Sequence, residues 1–452
     1  MFKKLLLTIL LVLMLPGWAW GAVYYVDKTT GDDSDTGLTE ALAWETLAKV
    51  ESFGAGTEFT ANDQILLKRG ETWVETLKLY GTGTSGNVVT YGAYGAGVDP
   101  IITRIYHRNA MHGNVAGSNE YVTVENMRIS NGAGIGGDIK TINYLTLKDL
   151  YIYDCSDRGI SVGDEVGGMT GFTVQDVEID NSTGFGIIFD QVVTSVLLER
   201  VVAHDGDRDG INARSATSVI VRDCVTYNNV EDGFDAGGVS GTVLFDRCLA
   251  YDNTSAGFSA KATNVAVTVT YDNCIAYGNN EGVETGNTCN VNIHNSTFYD
   301  NDKIGIYLTN DDTFIVKNNI IFGNGETPAV DGLQVSYLVA GQTLTADNNF
   351  YGVHSLGRSI YLSDEAAFKT FAEWQAWDGG AYGQNSLSGD PLFTNAAGDD
   401  FTLKPGSPAR NSGDTSISST RIKPGSTWPD GVVTMTDKTI GAYGSMRGAA
   451  GQ

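Results

Sequence analysis

Acidic residues are concentrated in two short segments near the middle of the chain. The first reads DGDRDG and covers residues 205–210, and the second reads EDGFD and covers residues 231–235. Carboxylates this close together repel one another unless a cation neutralises them, and their hard oxygen atoms suit Ca²⁺. We therefore predict a Ca²⁺ site whose candidate ligands are Asp207, Asp209, Glu231, Asp232 and Asp235. The alternative is that Asp and Gly only form solvent-exposed turns here.

Two basic residues accompany these carboxylates. Arg214 follows the first acidic segment, and Lys261 lies about one repeat beyond the second. A lysine can remove a proton only if its pKa is lowered, which a nearby metal ion and arginine could do. A solvated lysine is the alternative for Lys261, and an ion pair with Asp190 is the simpler role for Arg214. We expect His204, beside Asp205, to be a satisfied surface histidine rather than an acid catalyst.

A repeated strand pattern must position these side chains. The pattern is apolar-x-(Asp/Asn/Arg)-apolar-x-apolar, and successive copies are 22 to 30 residues apart. The ten copies begin at residues 124, 147, 174, 198, 221, 245, 271, 293, 316 and 346. Alternation with a period of two indicates strands, and repeats of this length indicate a solenoid. We predict an all-β fold, a right-handed parallel β-helix with caps at both ends.

A second short strand, Gly-apolar-x-apolar, follows most copies. It begins at residues 159, 186, 210, 233, 257, 282, 305 and 332. If its two apolar residues fill the core, the residues two and four positions after Gly point outward. One outward column then contains Ile188, Asn212, Asp235, Ser259, Glu284 and Tyr307, and the other contains Asp190, Arg214, Gly237, Lys261, Gly286 and Thr309. Neighbours in a column should lie ~4.8 Å apart, the spacing of paired strands.

The chain divides into four predicted parts. Residues 1–22 resemble a secretory signal, with Lys3 and Lys4 before an apolar run and a small-x-small cleavage site at residues 19–21. Residues 23–120 form an N-terminal cap and the first coils, with a helix in TEALAWETLAKVESF (39–53) and strands in QILLKRG and VVTYGAYG. Residues 121–352 form the coils, and residues 353–452 form a C-terminal cap. The protein is expected to be secreted, to the periplasm or outside the cell.

Three of the five cysteines share one place in successive repeats. Cys224, Cys248 and Cys274 each occupy the fourth position of the strand pattern. An odd number of cysteines in an exported protein would ordinarily suggest disulfides and a leftover thiol. Because these three should stack on one another inside the solenoid, we predict small buried side chains instead.

Composition limits the class of partner. The 452 residues are 42% hydrophobic, enough for a large core, and carry a formal net charge of −25. Such an acidic chain is a poor match for nucleic acid or an anionic membrane surface, because both attract a basic protein. We expect a monomer whose partner is a cation or a sugar.

The chain resembles secreted right-handed parallel β-helix proteins of the pectate lyase superfamily. The resemblance rests on the opening VYYVDKTTGDDSDTG, the coils, and the closing motifs DPLF, GSPA and IGAYG. The EDGFD segment is similar to the D-D-G-F-D calcium motif of family nine polysaccharide lyases. In that family a fourth carboxylate comes from the preceding coil, where Asp207 is the best match and Asp209 the next. The family's catalytic Lys lies in G-F-K-L-G-G; here G-F-S-A-K-A places Ser259 at that position and Lys261 two residues later.

This resemblance implies a secreted, calcium-dependent polysaccharide lyase. The expected reaction is β-elimination on a uronate-containing, pectate-like acidic polysaccharide, with Lys261 or Arg214 as the base. The alternative is a non-catalytic β-helix that binds glycans or forms a surface structure with the same acidic face.

Overall fold

The computed structural model of the protein describes residues 21–107, 119–417, 419–422 and 432–435, apart from short internal gaps. The gaps are residues 133, 135, 141, 164–167, 262–266, 287–288, 310–312, 327–332, 338–342, 355–356, 358 and 363–366. Residues 1–20 of the predicted signal segment lie outside the described residues. Among the described residues, none of the helices is long and apolar enough to span a membrane.

The chain winds into a right-handed parallel β-helix of about 11 turns, as predicted. Three parallel sheets run along the solenoid, and each coil except those at the two ends contributes one stretch of strand to each sheet. Four long strands turn the corner from sheet 1 into sheet 2; they are Glu120–Ser130, Asn143–Cys155, Met169–Ser182 and Val193–His204. Two early strands, Thr72–Lys78 and Ile101–His107, run from sheet 2 into sheet 3.

The remaining strands of the solenoid each belong to one sheet. Sheet 1 adds Val23–Val26, Gln64–Lys68, Val89–Tyr94, Ala216–Arg222, Thr242–Asp246, Thr268–Asp272, Asn290–His294, Thr313–Lys317 and Thr343–Asp347. Sheet 2 adds Val225–Tyr227, Leu249–Tyr251, Ile275–Tyr277, Thr297–Tyr299, Ile320–Phe322, Phe350–Tyr351 and Leu387–Ser388. Sheet 3 adds Gly137–Ile139, Ile160–Val162, Ile187–Phe189, Ile211–Asn212, Phe234–Asp235, Ala256–Ala260, Glu281–Thr285, Ile304–Leu308, Leu333–Tyr337 and Ile360–Leu362.

The backbone conformation at the corner between sheets 1 and 2 explains why the third position of the repeat is Asp, Asn or Arg. Its residue has a positive φ of 51° to 61° in every copy, at Asn126, Asp149, Asp176, Arg200, Asp223, Arg247, Asn273, Asn295, Asn318 and Asn348. Asn and Asp tolerate this left-handed conformation better than other residues with a side chain. The two arginines are each held by a bidentate ion pair with the corner aspartate of the preceding coil.

The interior contains stacked columns of like residues. Cys224, Cys248 and Cys274 are each 0% exposed and form no disulfide, which confirms the predicted register of these three repeats. A parallel column of buried amides joins neighbouring coils, because each Asn Nδ2 donates to the Oδ1 of the next at 2.8–3.1 Å. This asparagine column contains Asn229, Asn253, Asn279, Asn301 and Asn324.

The N-terminal cap differs from the prediction in its helix. The segment 39–53 is not one helix: it holds the 3₁₀ turn Glu40–Leu42 and then the start of the α-helix Leu47–Thr57. Between them the chain is extended, and Trp44 is buried. The α-helix begins late because Thr46 acts as its N-cap, with its hydroxyl accepting from Lys49 N and donating to Asp33.

The C-terminal region closes the solenoid and also turns back along it. Parallel pairing continues beyond residue 352, through Ile360–Leu362 and Leu387–Ser388. Between these two strands lie the strand Ala367–Lys369, the short helix Phe371–Ala376 and the 3₁₀ turn Trp377–Gly379, with Trp374 buried against the core. Residues 393–409 then pack on the outer face of sheet 2. They include the strands Phe393–Asn395 and Asp400–Leu403 and the 3₁₀ turn Ala396–Gly398; a last strand pair joins Ser419–Ile422 to Val432–Met435.

Candidate functional site

Sheet 3 positions the predicted site residues in the predicted order. Strand pairing aligns the first outward column, Ile188, Asn212, Asp235, Ser259, Glu284 and Tyr307, coil by coil. The register of one later copy was predicted wrongly: Val335 aligns with Ile306, so the Gly at residue 332 is not equivalent to Gly305. The error lies beyond the acidic segments and does not affect them.

Three of the five predicted metal ligands, Asp209, Asp232 and Asp235, are linked across two successive coils, although among the described residues their carboxylate oxygens do not all come within 4.8 Å of one another. Asn212 Nδ2 donates to Asp209 Oδ2 at 2.7 Å and to Asp235 Oδ2 at 2.9 Å, so one amide joins carboxylates from successive coils. The backbone N–H of Asp232 donates to Asp209 Oδ1, and the N–H of Gly237 donates to Asp235 Oδ1. This arrangement follows from the stacking, because Asp209 and Asp232 end equivalent turns one coil apart.

Burial and like charge raise the pKa of two of these carboxylates. Burial is the main cause for Asp209, the charge of Asp235 adds to it, and the pKa reaches about 7. The pKa of Asp235 rises to about 6, again mainly through burial, with Asp232 adding to the effect. Negative charge at this site is therefore only partly compensated by the protein groups around it.

Lys261 supplies one compensating charge. Its Nζ lies 2.7 Å from Glu284 Oε2 and 3.7 Å from Asp232 Oδ2. Burial alone would lower the pKa of Lys261, but Asp232 and Glu284 outweigh that effect, so the pKa lies above its ordinary value. The second oxygen of Asp232 accepts from the backbone N–H of Ala256 at 2.9 Å.

The other predicted ligands lie nearer to solvent. Asp207 is exposed on the turn before sheet 3. Glu231 is half-exposed and lies 3.4 Å from Arg208. Asp209 and Asp232 are thus buried and Asp235 is half-buried, and Asp209 is linked to the EDGFD segment through Asn212 and the backbone of Asp232, whereas Asp207 is exposed.

Arg214 makes the expected ion pair with Asp190, and Arg158 pairs with the same carboxylate. Arg208 and Arg214 both lie over the ring of Phe185, at 5.3 and 5.7 Å from its centroid. Their guanidinium groups remain about half-exposed. On a chain of net charge −25, this face therefore combines buried carboxylates with accessible cations.

Sequence reasoning missed a second cluster of ionisable groups on sheet 2. His204 is buried rather than a surface histidine, and its ring nitrogens face Glu178, Asp180 and Asp205. The repeat contained a signal for it, because Asp180 and His204 both occupy the last position of the strand pattern in adjacent coils.

Comparisons with known proteins agree with the fold. A family model described as a right handed beta helix region matches residues 165–290 and 265–378. The solved structure of pectate lyase Pel9A is 16% identical, covers 94% of this chain and 97% of its own, and has a TM-score of 0.45. A search of the curated proteins finds no match.

Two further solved structures are similar at the same level. The A-module of a mannuronan C-5 epimerase from Azotobacter vinelandii is 17% identical, with coverage of 72% of this chain and 86% of its own and a TM-score of 0.45. A lacto-N-biosidase from Eubacterium ramulus is 16% identical, with coverage of 80% and 70% and a TM-score of 0.41. At such identities and TM-scores these likenesses say nothing about the reaction.

Proposed function

We propose that the protein is a polysaccharide lyase that cleaves a uronate-containing, acidic polysaccharide by β-elimination with Ca²⁺ at sheet 3. The observation that carries the proposal is the pair of carboxylates, buried Asp209 and half-buried Asp235, joined through Asn212 one coil from Lys261. Buried carboxylates with strongly perturbed pKa values are typical of functional sites.

The residues fit Ca²⁺ by their chemistry. Asp209, Asp232 and Asp235 offer carboxylate oxygens, and a hard cation would stabilise the charged forms of Asp209 and Asp235, which burial disfavours by raising their pKa values. These three residues would hold the ion. When bound, it would neutralise a uronate carboxylate and so acidify the adjacent C5 proton.

The accessible cations of the same face would bind the polymer. Arg208 and Arg214 both lie over the ring of Phe185, which brings two guanidinium groups to the same aromatic side chain. Guanidinium groups suit carboxylates because they donate two parallel hydrogen bonds. This local positive charge would counter the repulsion between an acidic chain and an acidic substrate.

In the proposed reaction a base removes the C5 proton of the uronate, a C4–C5 double bond forms, and the C4–O bond breaks. The departing oxygen leaves with a proton. Lys261 or Arg214 is proposed as the base. Lys261 would first have to lose its own proton, which its contacts with Asp232 and Glu284 oppose. As an ammonium group it is suited instead to bind the uronate carboxylate or to donate a proton to the departing oxygen.

That protonated state favours a second candidate function, a non-catalytic β-helix that binds acidic glycans with the same face. Ser259, buried beside Asp235, stands where the lysine of the resembled motif would be. Binding by Arg208, Arg214 and Lys261 needs no neutral lysine.

One experiment separates the two. The protein is incubated with polygalacturonate, alginate or ulvan, in Ca²⁺ or in chelator, while the ultraviolet absorbance of unsaturated uronate is followed and binding is measured by calorimetry. Calcium-dependent product that disappears in Asp235→Asn supports the lyase. Binding without product in any condition would replace it with the glycan-binding function, and neither binding nor product would reject both. Lys303→Ala is a control outside the proposed site, because Lys303 is a half-exposed lysine two coils beyond Lys261, 3.7 Å from Glu281.

A further inference from the structure

The cluster on sheet 2 brings three different metal-ligand atoms to one point. His204 Nδ1 lies 2.7 Å from Asp205 Oδ2 and 3.7 Å from Asp180 Oδ1. The three atoms all lie within 4.8 Å of one another. Ligand atoms around a tetrahedral ion with bonds of about 2.0–2.1 Å are roughly 3.4 Å apart, so small movements would admit an ion.

The solenoid fixes the positions of these groups. Asp180 and His204 are paired across adjacent strands of sheet 2, so their side chains project from the same place one coil apart. Asp205 follows His204 at the corner with a φ of 54°. The imidazole is 7% exposed and stacks on Tyr227, with ring centroids 4.5 Å apart and planes within 5°. Its orientation is therefore fixed by packing.

Neighbouring groups occupy the remaining atoms of each candidate ligand. The Tyr151 hydroxyl donates to Asp180 Oδ2 at 2.8 Å, and Asn228 Nδ2 donates to Asp205 Oδ1 at 3.1 Å. Glu178 Oε1 lies 3.4 Å from His204 Nε2. Each candidate ligand thus has one atom held by an outer partner and one directed at the shared point, and a carboxylate behind a metal-bound histidine is a common arrangement.

The carboxylates around the imidazole carry more negative charge than the nearby protein groups neutralise, and a divalent cation would balance it. Three carboxylates, Glu178, Asp180 and Asp205, surround one ring, and in the described part of the chain no Lys or Arg nitrogen lies within 4.0 Å of them. A protonated His204 would cancel one of the three negative charges. A divalent ion on a neutral imidazole would cancel two.

We propose that His204, Asp180 and Asp205 bind a divalent transition metal such as Zn²⁺, with water completing the coordination. Mixed imidazole and carboxylate ligands suit such ions, whereas the all-oxygen set on sheet 3 suits Ca²⁺. The site lies on a different sheet from the proposed lyase site and does not depend on that function.

The test is calorimetric titration of Zn²⁺ into the untagged protein after dialysis against chelator, with Co²⁺ absorption spectra as a second readout. We expect one saturable site, lost in His204→Gln and at least about 10-fold weaker in Asp180→Asn. Asp207→Asn, an exposed carboxylate two residues from Asp205, is the matched control and should bind as the parent does.

Absence of saturable Zn²⁺ binding would overturn the proposal, and so would affinity that is unchanged in His204→Gln. If His204→Gln does not fold, the test uses Asp180→Asn with a normal melting curve, and unchanged Zn²⁺ affinity in that variant would overturn the proposal. If the Asp209→Asn variant still binds Zn²⁺, the site is separate from the one on sheet 3. If this variant no longer binds Zn²⁺, the proposal is contradicted.

Discussion

The ammonium group of Lys261 is held 2.7 Å from Glu284, which lies in the next coil of sheet 3. This contact fixes the position of the group that the sequence proposes as a base, and it also favours its protonated form. The charge and the proton-transfer capacity of Lys261 can therefore be separated by substitution.

Lys261→Ala removes both properties, and Lys261→Arg keeps only the charge. If Lys261 transfers a proton in the lyase reaction, both variants should lose about 10²–10⁴-fold in turnover, because that is the usual contribution of general acid–base catalysis. Lys261→Arg should still bind polysaccharide, and Lys261→Ala should bind it more weakly. Steady-state kinetics and calorimetry measure the two effects. Full activity in Lys261→Arg would mean that the residue only binds.

Calcium should stabilise the parent protein through its buried carboxylates. Because Asp235 is half-buried and bonded to Asn212 whereas Asp207 is exposed, Asp235→Asn should abolish the rise in melting temperature on adding Ca²⁺, and Asp207→Asn should keep it. At a Ca²⁺ concentration of 100 times the Kd the stabilisation is about 2.7 kcal/mol. Differential scanning calorimetry with and without chelator checks this. Equal melting in Ca²⁺ and chelator for the parent would contradict the site.

In chelator, Asp209 should make the protein less stable as the pH rises. Its pKa in the folded state is about 7, above the ordinary 3.8, so the folded state binds the proton more tightly than the unfolded state does. The stabilisation is complete below about pH 4 and is lost as the pH rises through about 7. At about 1.4 kcal/mol per pH unit, the loss is at most about 4 kcal/mol. Denaturant unfolding at several pH values should show a shallower fall for Asp209→Asn. An identical dependence of unfolding free energy on pH in the parent and in Asp209→Asn would contradict the raised pKa of Asp209.

The asparagine column should be sensitive to substitution at its centre. Asn279 accepts from the backbone and side chain of Asn253 and donates to Ala250 O and Asn301 Oδ1. Asn279→Ala leaves several buried groups without partners, at about 1–3 kcal/mol each, so the free energy of unfolding should fall by several kcal/mol. Asn292→Ala, a partly exposed strand residue with one 3.3 Å side-chain bond, should change it by less than about 1 kcal/mol. A small effect at Asn279 would mean that water replaces the amide.

The sequence was sufficient for the fold because one pattern recurs in every coil. A residue type that fits one corner or one core position fits the next, so Cys224, Cys248 and Cys274 revealed the register directly. The same logic gave the outward column through Asn212 and Asp235.

Features that depend on a single contact could not be predicted in this way. The start of the first α-helix depends on Thr46 and on Asp33, 13 residues earlier. The choice between Asp207 and Asp209 depends on the turn conformation that directs one of them to Asn212. Phe401 lies outside the repeats and packs on Tyr277, which is far from it in the sequence. The repeat pattern therefore could not predict this contact.

The packing of residues 393–409 on the outer face of sheet 2 also sets an order of events during synthesis. The coils of Leu249, Ile275, Ile320 and Phe350 leave the ribosome before the segment that carries Phe393, Phe401 and Leu403 to cover them. Until that segment arrives, a nascent or truncated chain presents an apolar strip to water, and such strips promote association. A chain ending at residue 386 should therefore bind a hydrophobic dye and self-associate, whereas the full chain should do neither; light scattering of the two proteins measures the difference.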